Sequence, residues 1–465
     1  MRSPSDEKSG SNDRSPPNES VPQFSNAREL ALFALEQYRT GGEFAVRILD
    51  ENLARSELPA SERRLVTELV AGIVRRRLTL ETVIQSQVSR PRERIEETLW
   101  TLLQLGSYQL LFLDAIPPHA AVHETVELAK RIGSRRWCGF LNGVLRSIAR
   151  VVTGKTGDQP APDAVPLRDG EYRRLNAALF ADPADHPAEY FAQAFSFPPW
   201  LAERWLPRFD FAELCRLGFW FNESHGLTLR VNPLRANRDD VLHGLHQLEV
   251  DAAAGTHPYA IWSKRSCNVS RLPGFAEGQF TPQDESAMQV GDWLAPRPGE
   301  TILDLCAAPG TKTTHLAELM GNEGRIVAAD VKATRLRRVA ENAARLGLGI
   351  IETQLIPAGA EARLLQKAGL LGSAFDAVLV DVPCSNTGVM ELTRLQLRVL
   401  SSAVDVVKPG GRLLYSTCSM EPEENEGVVA EILGKRRDLE LIRQRTALPG
   451  KPADGGFLAL FRRLA

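Results

Sequence analysis

From Thr301 onward, short apolar runs alternate with stretches of helical spacing, and nothing else in the 465-residue chain limits its fold so tightly. The runs Thr301–Leu305, Arg325–Ala329, Ile351–Ile356, Ala377–Val380 and Arg412–Tyr415 read as strands, and Gly456–Phe461 as a last one. Between them, 313–320, 333–346, 360–367 and 392–407 read as helices. Strands and helices in alternation give a parallel sheet covered on both faces, a doubly wound α/β domain. Ligands of such sheets bind in a crevice at the carboxyl ends of the strands.

Two cysteines stand at equivalent places against that pattern. Cys384 follows the run Ala377–Val380 in Asp381-Val382-Pro383-Cys384-Ser385, and Cys418 follows Arg412–Leu414 in Tyr415-Ser416-Thr417-Cys418-Ser419. A lone free cysteine is often only a small buried hydrophobe. Two thiols delivered to one crevice, with Asp381 three residues before the first, point instead to covalent chemistry.

The bulk numbers narrow the classes. The length calls for two or three domains. Hydrophobic content of 43% and charged content of 25% are those of a soluble globular protein. A net charge of −2 means that any nucleic-acid surface must be local. Six cysteines without a CxxC or Cys/His array make neither a disulfide framework nor a zinc site, so no metal is expected and a reducing cytoplasm fits. Met1–Gln23 lacks an apolar core of the signal-peptide kind, and no apolar run is long enough to span a bilayer, so no membrane is expected.

The organisation expected is a disordered tail over 1–24, a helical domain over 25–152, a linker over 153–186, a small α+β module over 187–280 and the α/β domain over 281–465. Asn26 and Glu29 form an N-cap pair, and helices are expected over 62–76, 92–113, 120–131 and 139–151, with Pro117-Pro118 breaking the series. Basic clusters at Arg75-Arg76-Arg77, Arg90/Arg92/Arg94 and Lys130-Arg131 with Arg135-Arg136 are candidate phosphate contacts, although many neighbouring glutamates make an ordinary solvated face the competing reading. Gly154–Asp169 has linker composition. Trp200, Trp205, Trp220 and Phe221 read as packing residues, Leu227–Val231 and 260–262 as strands, and Arg238–Leu248 as a helix.

After the first α/β strand comes Asp304-Leu305-Cys306-Ala307-Ala308-Pro309-Gly310-Thr311-Lys312-Thr313. Small residues let the backbone approach a ligand, and the following helix offers free N–H groups. With Thr311 before Lys312 this is not a Walker loop, and it is not GxGxxG. Asp330 ends the second strand, where a carboxylate can accept two ribose hydroxyls. An adenosyl ligand without a pyrophosphate fits, and S-adenosylmethionine is the cofactor inferred.

These segments, with Ser416-Thr417-Cys418-Ser419-Met420-Glu421-Pro422-Glu423-Glu424-Asn425-Glu426, resemble the Nop/Sun family of RNA cytosine-C5 methyltransferases. Gly278-Gln279-Phe280 and Gln283-Asp284-Glu285-Ser286 resemble the entry to that family's catalytic domain. Ile116–Val122 and Gly139–Arg146 resemble a NusB-like domain, an addition typical of the bacterial Sun (RsmB) branch, which methylates 16S ribosomal RNA. The resemblance implies a Rossmann-like S-adenosylmethionine-dependent methyltransferase domain, preceded by an RRM-like α+β module and an all-α NusB-like domain, and acting on RNA as a monomer. It implies Cys418 as nucleophile, Cys384 in product release and Asp381 on the cytosine, a choice that spacing alone leaves open. It also implies Lys312 as a partner of cofactor or active-site carboxylates, and cofactor contacts from Cys306, Ala307, Ala308, Pro309, Gly310, Thr311, Lys312, Asp330, Arg335 and Asp381. His119 and Asn142 match the NusB-like domain as structural residues.

The chemistry suits these residues. Carbon 5 of cytosine is a poor nucleophile until a thiolate adds to carbon 6. The base must leave its stack to be reached, which calls for a pocket taking a flipped base. Four departures stand out. Thr311 and Asn386 each replace a usual Gly, no Asp occurs between Asp330 and Asp376, and a basic, Trp-containing loop is missing after Met390. They motivate an alternative, a non-catalytic RNA-binding or ribosome-assembly protein on the same scaffold.

Overall fold

The computed structural model describes residues 24–223, 225–264, 268–356, 375–384, 390–450 and 453–465. The expected helix at 360–367, Asn386 and the stretch 357–359 where a third-strand Asp would lie fall outside them. The chain forms two compact units, Met1–Asn222 and Glu223–Ala465. Among the described residues no helix is long and apolar enough to cross a membrane.

The first unit opens with the helices Ala27–Gly41, Ala45–Arg55, Ala60–Arg75, Arg77–Ser86, Glu97–Phe112, Pro118–Arg131 and Cys138–Val151. Glu97–Phe112 is buried on nearly every side, as its all-round apolar sequence requires of a central helix. Asn26 caps the first helix by accepting from the Glu29 N–H at 3.0 Å, while the Glu29 carboxylate takes the Ser25 N–H at 2.9 Å rather than closing a box on Asn26. Pro118 occupies the first turn of its helix, so it starts an element instead of interrupting one.

Some of the basic residues are engaged by the fold itself. Arg76 is 4% exposed, donates to the Leu167 carbonyl at 2.8 Å and lies over the Phe112 ring. Arg92 pairs with Glu97 and stacks on Trp100, and Arg136 pairs with Glu96.

The expected linker is a folded sheet. Strands β1 (Val152–Gly157), β2 (Ala164–Pro166) and β3 (Tyr172–Leu175) pair antiparallel in the order β1-β3-β2. Its Gly, Pro and Asp content serves the turns, while Ala164, Val165, Tyr172 and Leu175 are buried. Buried Arg173 anchors it by donating to the Leu111 carbonyl at 2.8 Å and pairing with Asp114. The helices Pro187–Phe195, Pro199–Trp205 and Phe211–Asn222 also belong to this unit, so the compact boundary falls at 222/223 and not at 187. Trp205 and Trp220 are buried as expected, but Trp200 is 51% and Phe221 40% exposed.

The second unit begins with β4 (Leu227–Val231), β5 (Ala252–Ala254), β6 (Ala260–Ser263) and β7 (Phe280–Pro282), in antiparallel order β5-β6-β4-β7, and the helix Arg238–Gln247. The helix Glu285–Leu294, capped by Asp284, leads into the large sheet. That sheet comprises β8 (Thr301–Leu305), β9 (Arg325–Asp330), β10 (Ile351–Leu355), β11 (Phe375–Asp381), β12 (Val407–Thr417), β13 (Leu439–Ala447) and β14 (Gly456–Arg463). The order is β10-β9-β8-β11-β12-β14-β13, parallel through β12 and antiparallel at β14 and β13. This is a Rossmann-like mixed sheet, and the chain reverses direction across it between β8 and β11, the switch point where ligands bind. β11 carries the unbroken apolar run of a strand buried on both faces, with Ala377 to Val380 all at 0% exposure. β13 was not anticipated, because Arg443, Gln444 and Arg445 give an edge strand a solvated composition.

Candidate active site

Parallel pairing fixes the geometry. Asp381 at the end of β11 lies opposite Ser416 of β12, and the Val382 N–H donates to the Ser416 carbonyl at 3.1 Å. The loops carrying Cys384 and Cys418 therefore leave the sheet side by side. Cys384 and Cys418 are brought sulfur to sulfur, with Cα atoms 6.5 Å apart. Cys418 is exposed between buried Thr417 and Ser419.

The Cys418 loop is braced from behind. The Thr417 hydroxyl donates to Asn425 Oδ1 at 2.6 Å, and Asn425 Nδ2 returns to the Ser419 carbonyl at 2.9 Å. The Tyr415 hydroxyl donates to the Glu424 carbonyl at 2.7 Å. Buried Gln396, on the helix Met390–Val406, donates to the Pro383 carbonyl at 3.0 Å and reaches Glu424 Oε2 at 3.4 Å, so one side chain touches both cysteine loops. Gly456 opens β14 at φ 141°, and a Cβ there would stand 2.6 Å from the Thr417 carbonyl, so glycine lets that strand close against the loop.

The 306–312 loop faces this pair across the switch point. Lys312 Nζ lies 2.6 Å from Asp381 Oδ2, and the Ser416 hydroxyl donates to Asp381 Oδ1 at 2.9 Å. Ala307, Ala308 and Gly310 are buried, Pro309 is exposed, and Thr311 opens the helix Thr311–Leu319. The positive φ values fall on Cys306 (66°) and Gly310 (98°), so a side chain at Thr311 strains nothing. A Cβ at Gly310 would lie 3.0 Å from Val339 Cγ1. Asp330 accepts from the Lys332 N–H at 3.1 Å, and Arg335 donates to the Ala308 carbonyl at 2.7 Å, holding the loop from its far side. The Asp330 carboxylate keeps lone pairs for further donors.

Electrostatics sorts the nearby groups. Burial, then the carboxylates of Asp381, Asp330 and Asp304, push the Cys306 thiol up to about 12, so it stays protonated and plays no nucleophilic part. Burial pushes the Asp304 carboxyl up to about 7, against the hydrogen bond from the Thr313 hydroxyl at 2.6 Å. Its Oδ1 is buried without a partner. An orphaned carboxyl oxygen, a small-residue loop and a strand-end carboxylate together suit the amino and ribose groups of an adenosyl amino acid.

The structure brings Asp381, Lys312 and both cysteines together. Asp304 and Asn425 lie within the sequence motifs without an expected part, and no local motif marks Gln396. His119 is exposed and Asn142 half-buried, both in the first unit. Among the described residues no group of three or more His, Cys, Asp or Glu could hold a metal.

Three families match segments of the chain. The NusB family matches 25–150, the ferredoxin-like domain of RsmF/B-like methyltransferases 197–270, and 16S rRNA methyltransferase RsmB/F 291–394 and 389–455. A protein of Synechocystis sp. named "Probable ribosomal RNA small subunit methyltransferase B" is 35% identical over 435 residues, 89% of this chain and 90% of its own length. The chain belongs to the ribosomal RNA small subunit methyltransferase B family. Solved structures share the RsmB/F fold. The crystal structure of PH0851 is 24% identical, with a TM-score of 0.70 over 95% of this chain and 100% of its own. That of NSun6 from Pyrococcus horikoshii with SFG is 22% identical, with a TM-score of 0.53 over 58% of this chain and 99% of its own. The RsmB/F match over 291–455 spans both cysteine loops and begins just ahead of the Asp304–Lys312 segment.

Proposed function

We propose that this protein transfers the methyl group of S-adenosylmethionine to carbon 5 of a cytosine in 16S ribosomal RNA, through a covalent bond between Cys418 and carbon 6. The observation that carries the reading is the convergence of Cys384, Cys418 and the Lys312–Asp381 pair at the ends of β8, β11 and β12. Membership of the RsmB/F family and the NSun6 structure with SFG support the cofactor and the RNA class.

The Cys418 thiolate adds to carbon 6, forming the S–C6 bond and making carbon 5 nucleophilic. Asp381, held by Lys312 and Ser416, accepts from the exocyclic amine and orients the ring. S-adenosylmethionine supplies the electrophilic methyl group when bound. The carbon-5 proton then leaves, the C5=C6 bond re-forms and the S–C6 bond breaks, returning the Cys418 thiolate, with Cys384 assisting this release. Asp304, Asp330 and the 306–312 backbone hold the donor. The scaffold-only alternative explains none of this convergence.

Labelled S-adenosylmethionine and unmethylated 16S RNA test the reading under reducing conditions. Label is expected in 5-methylcytosine and lost in Cys418→Ala, while Cys384→Ala accumulates an RNA–protein adduct that survives denaturation. Full turnover by Cys418→Ala, or label in another nucleoside, would overturn it.

A further inference from the structure

Among the described residues Arg230 is the largest charged side chain that is wholly buried, and it lies outside the cysteine and 306–312 loops. It projects from β4 of the small four-stranded sheet into the first turns of the helix Thr311–Leu319. Its Nε and Nη2 make a two-pronged pair with Glu318 Oε2 and Oε1, both at 2.8 Å. Nη2 also reaches Thr314 Oγ1 at 3.0 Å, and Nη1 donates to Gln283 and to the Thr311 carbonyl at 2.7 Å. Every N–H direction of the guanidinium fork is therefore used, an arrangement that lysine, a point charge on a flexible stem, cannot reproduce.

The contact with Thr311 gives this buried pair more than a packing role. Thr311 is the residue between Gly310, whose backbone takes the left-handed conformation, and Lys312, whose ammonium meets Asp381. A buried ion pair by itself contributes little net stability compared with a well-packed apolar replacement, so stability is a poor account of why a charge is kept here. The same small sheet is also tied to the helix Ala333–Leu346. Asn232 donates to the Leu346 carbonyl at 3.2 Å, and Arg345 donates to the carbonyls of Phe275 and Phe280 at 2.7 and 3.0 Å. Those ties end at the carboxyl end of that helix, away from Arg335 and the loop.

Resting on the methyl-donor reading of the 306–312 loop, we infer that Arg230 is a positioning residue for that loop: the ferredoxin-like module sets the Gly310–Lys312 backbone from outside the catalytic fold. The module is thus part of the donor site as well as a neighbour of it.

The test measures S-adenosylhomocysteine binding by calorimetry on the full chain, with thermal melting alongside. Arg230→Lys, and the double replacement Arg230→Met with Glu318→Leu, are expected to weaken binding about tenfold or more, the order lost when a preorganised contact is misplaced. The double variant leaves no unpaired buried charge, so it should melt near the wild type. In turnover, KM for S-adenosylmethionine should rise while KM for RNA holds. Arg345→Lys should lower the melting temperature and leave binding unchanged. Binding within twofold of wild type in a folded Arg230 variant would overturn the inference. No binding by the wild type would overturn the donor-site reading itself, and the inference with it.

Discussion

Lys312 and Asp381 meet at 2.6 Å across the switch point of the sheet, one from the loop after β8 and the other from the end of β11. Each side chain is partly exposed, at 20% and 26%, so the pair contributes little to folding. What it does is fix a carboxylate between the 306–312 loop and the cysteine loops. Lys312→Met should lower methylation by about 10- to 100-fold, as expected when a group holding reactants in place is lost, with melting nearly unchanged. Single-turnover methylation and a melting curve on one preparation check both halves.

Gln396 bridges the two cysteine loops. Gln396→Leu leaves the Pro383 carbonyl and the Glu424 carboxylate without that amide, at a cost of about 1–3 kcal/mol in stability. A larger loss is expected in the rate of adduct formation with a mechanism-based cytosine analogue, because the cysteine loops lose their common brace.

Asp304 gives the fold an acid preference. Its carboxyl has an ordinary value of 3.8 and is raised to about 7 in the fold, so between those pH values the native state holds a proton that the unfolded chain has released. Its contribution is therefore fully present below about 3.8 and is lost as pH rises through about 7. Asp304→Asn keeps an acceptor for Thr313 and should match wild-type stability near pH 4. It should exceed wild type at pH 8, as urea midpoints at the two pH values would show.

His315 acts in the opposite sense. Burial, then the charge of Arg230 and the neighbouring His257, hold its imidazole neutral well below its usual range, and neither ring nitrogen has a partner. Below the ordinary value of 6.5 the unfolded chain takes up a proton that the folded one refuses, so this contribution is lost as pH falls. His315→Leu should remove that acid-side loss and raise the melting temperature most at pH 5.

Gly310→Ala tests the loop directly. The backbone at φ 98° and a Cβ 3.0 Å from Val339 Cγ1 both oppose any side chain. Destabilisation of about 1–2 kcal/mol or more follows from the left-handed backbone alone, and donor binding measured by calorimetry should weaken with it.

The strands that the sequence made legible are those with an apolar or alternating run of five residues or so. Leu227–Val231, Thr301–Leu305 and Ile351–Leu355 lie where those runs put them, and the helix Ala333–Leu346 where its spacing does. The strands without such a run were missed: β13, where Arg443 and Arg445 interrupt the pattern, and the short β1–β3 inside a stretch whose glycines and prolines suggested a linker. In the site, Asp381, Lys312, Cys384 and Cys418 announce themselves through motif and strand-end position. Gln396, Arg230 and the meeting of the two sulfurs do not, because each depends on a partner far away in sequence that only the folded sheet brings near.

The position of β14 bears on how the enzyme is made. Translated after β13, it nonetheless lies between β13 and β12, and its first residue, Gly456, seals the loop holding Cys418. While the chain is still emerging, β13 has no strand to join and the Cys418 loop has no finished wall. Gly456–Arg463 must therefore leave the ribosome before the sheet closes against that loop.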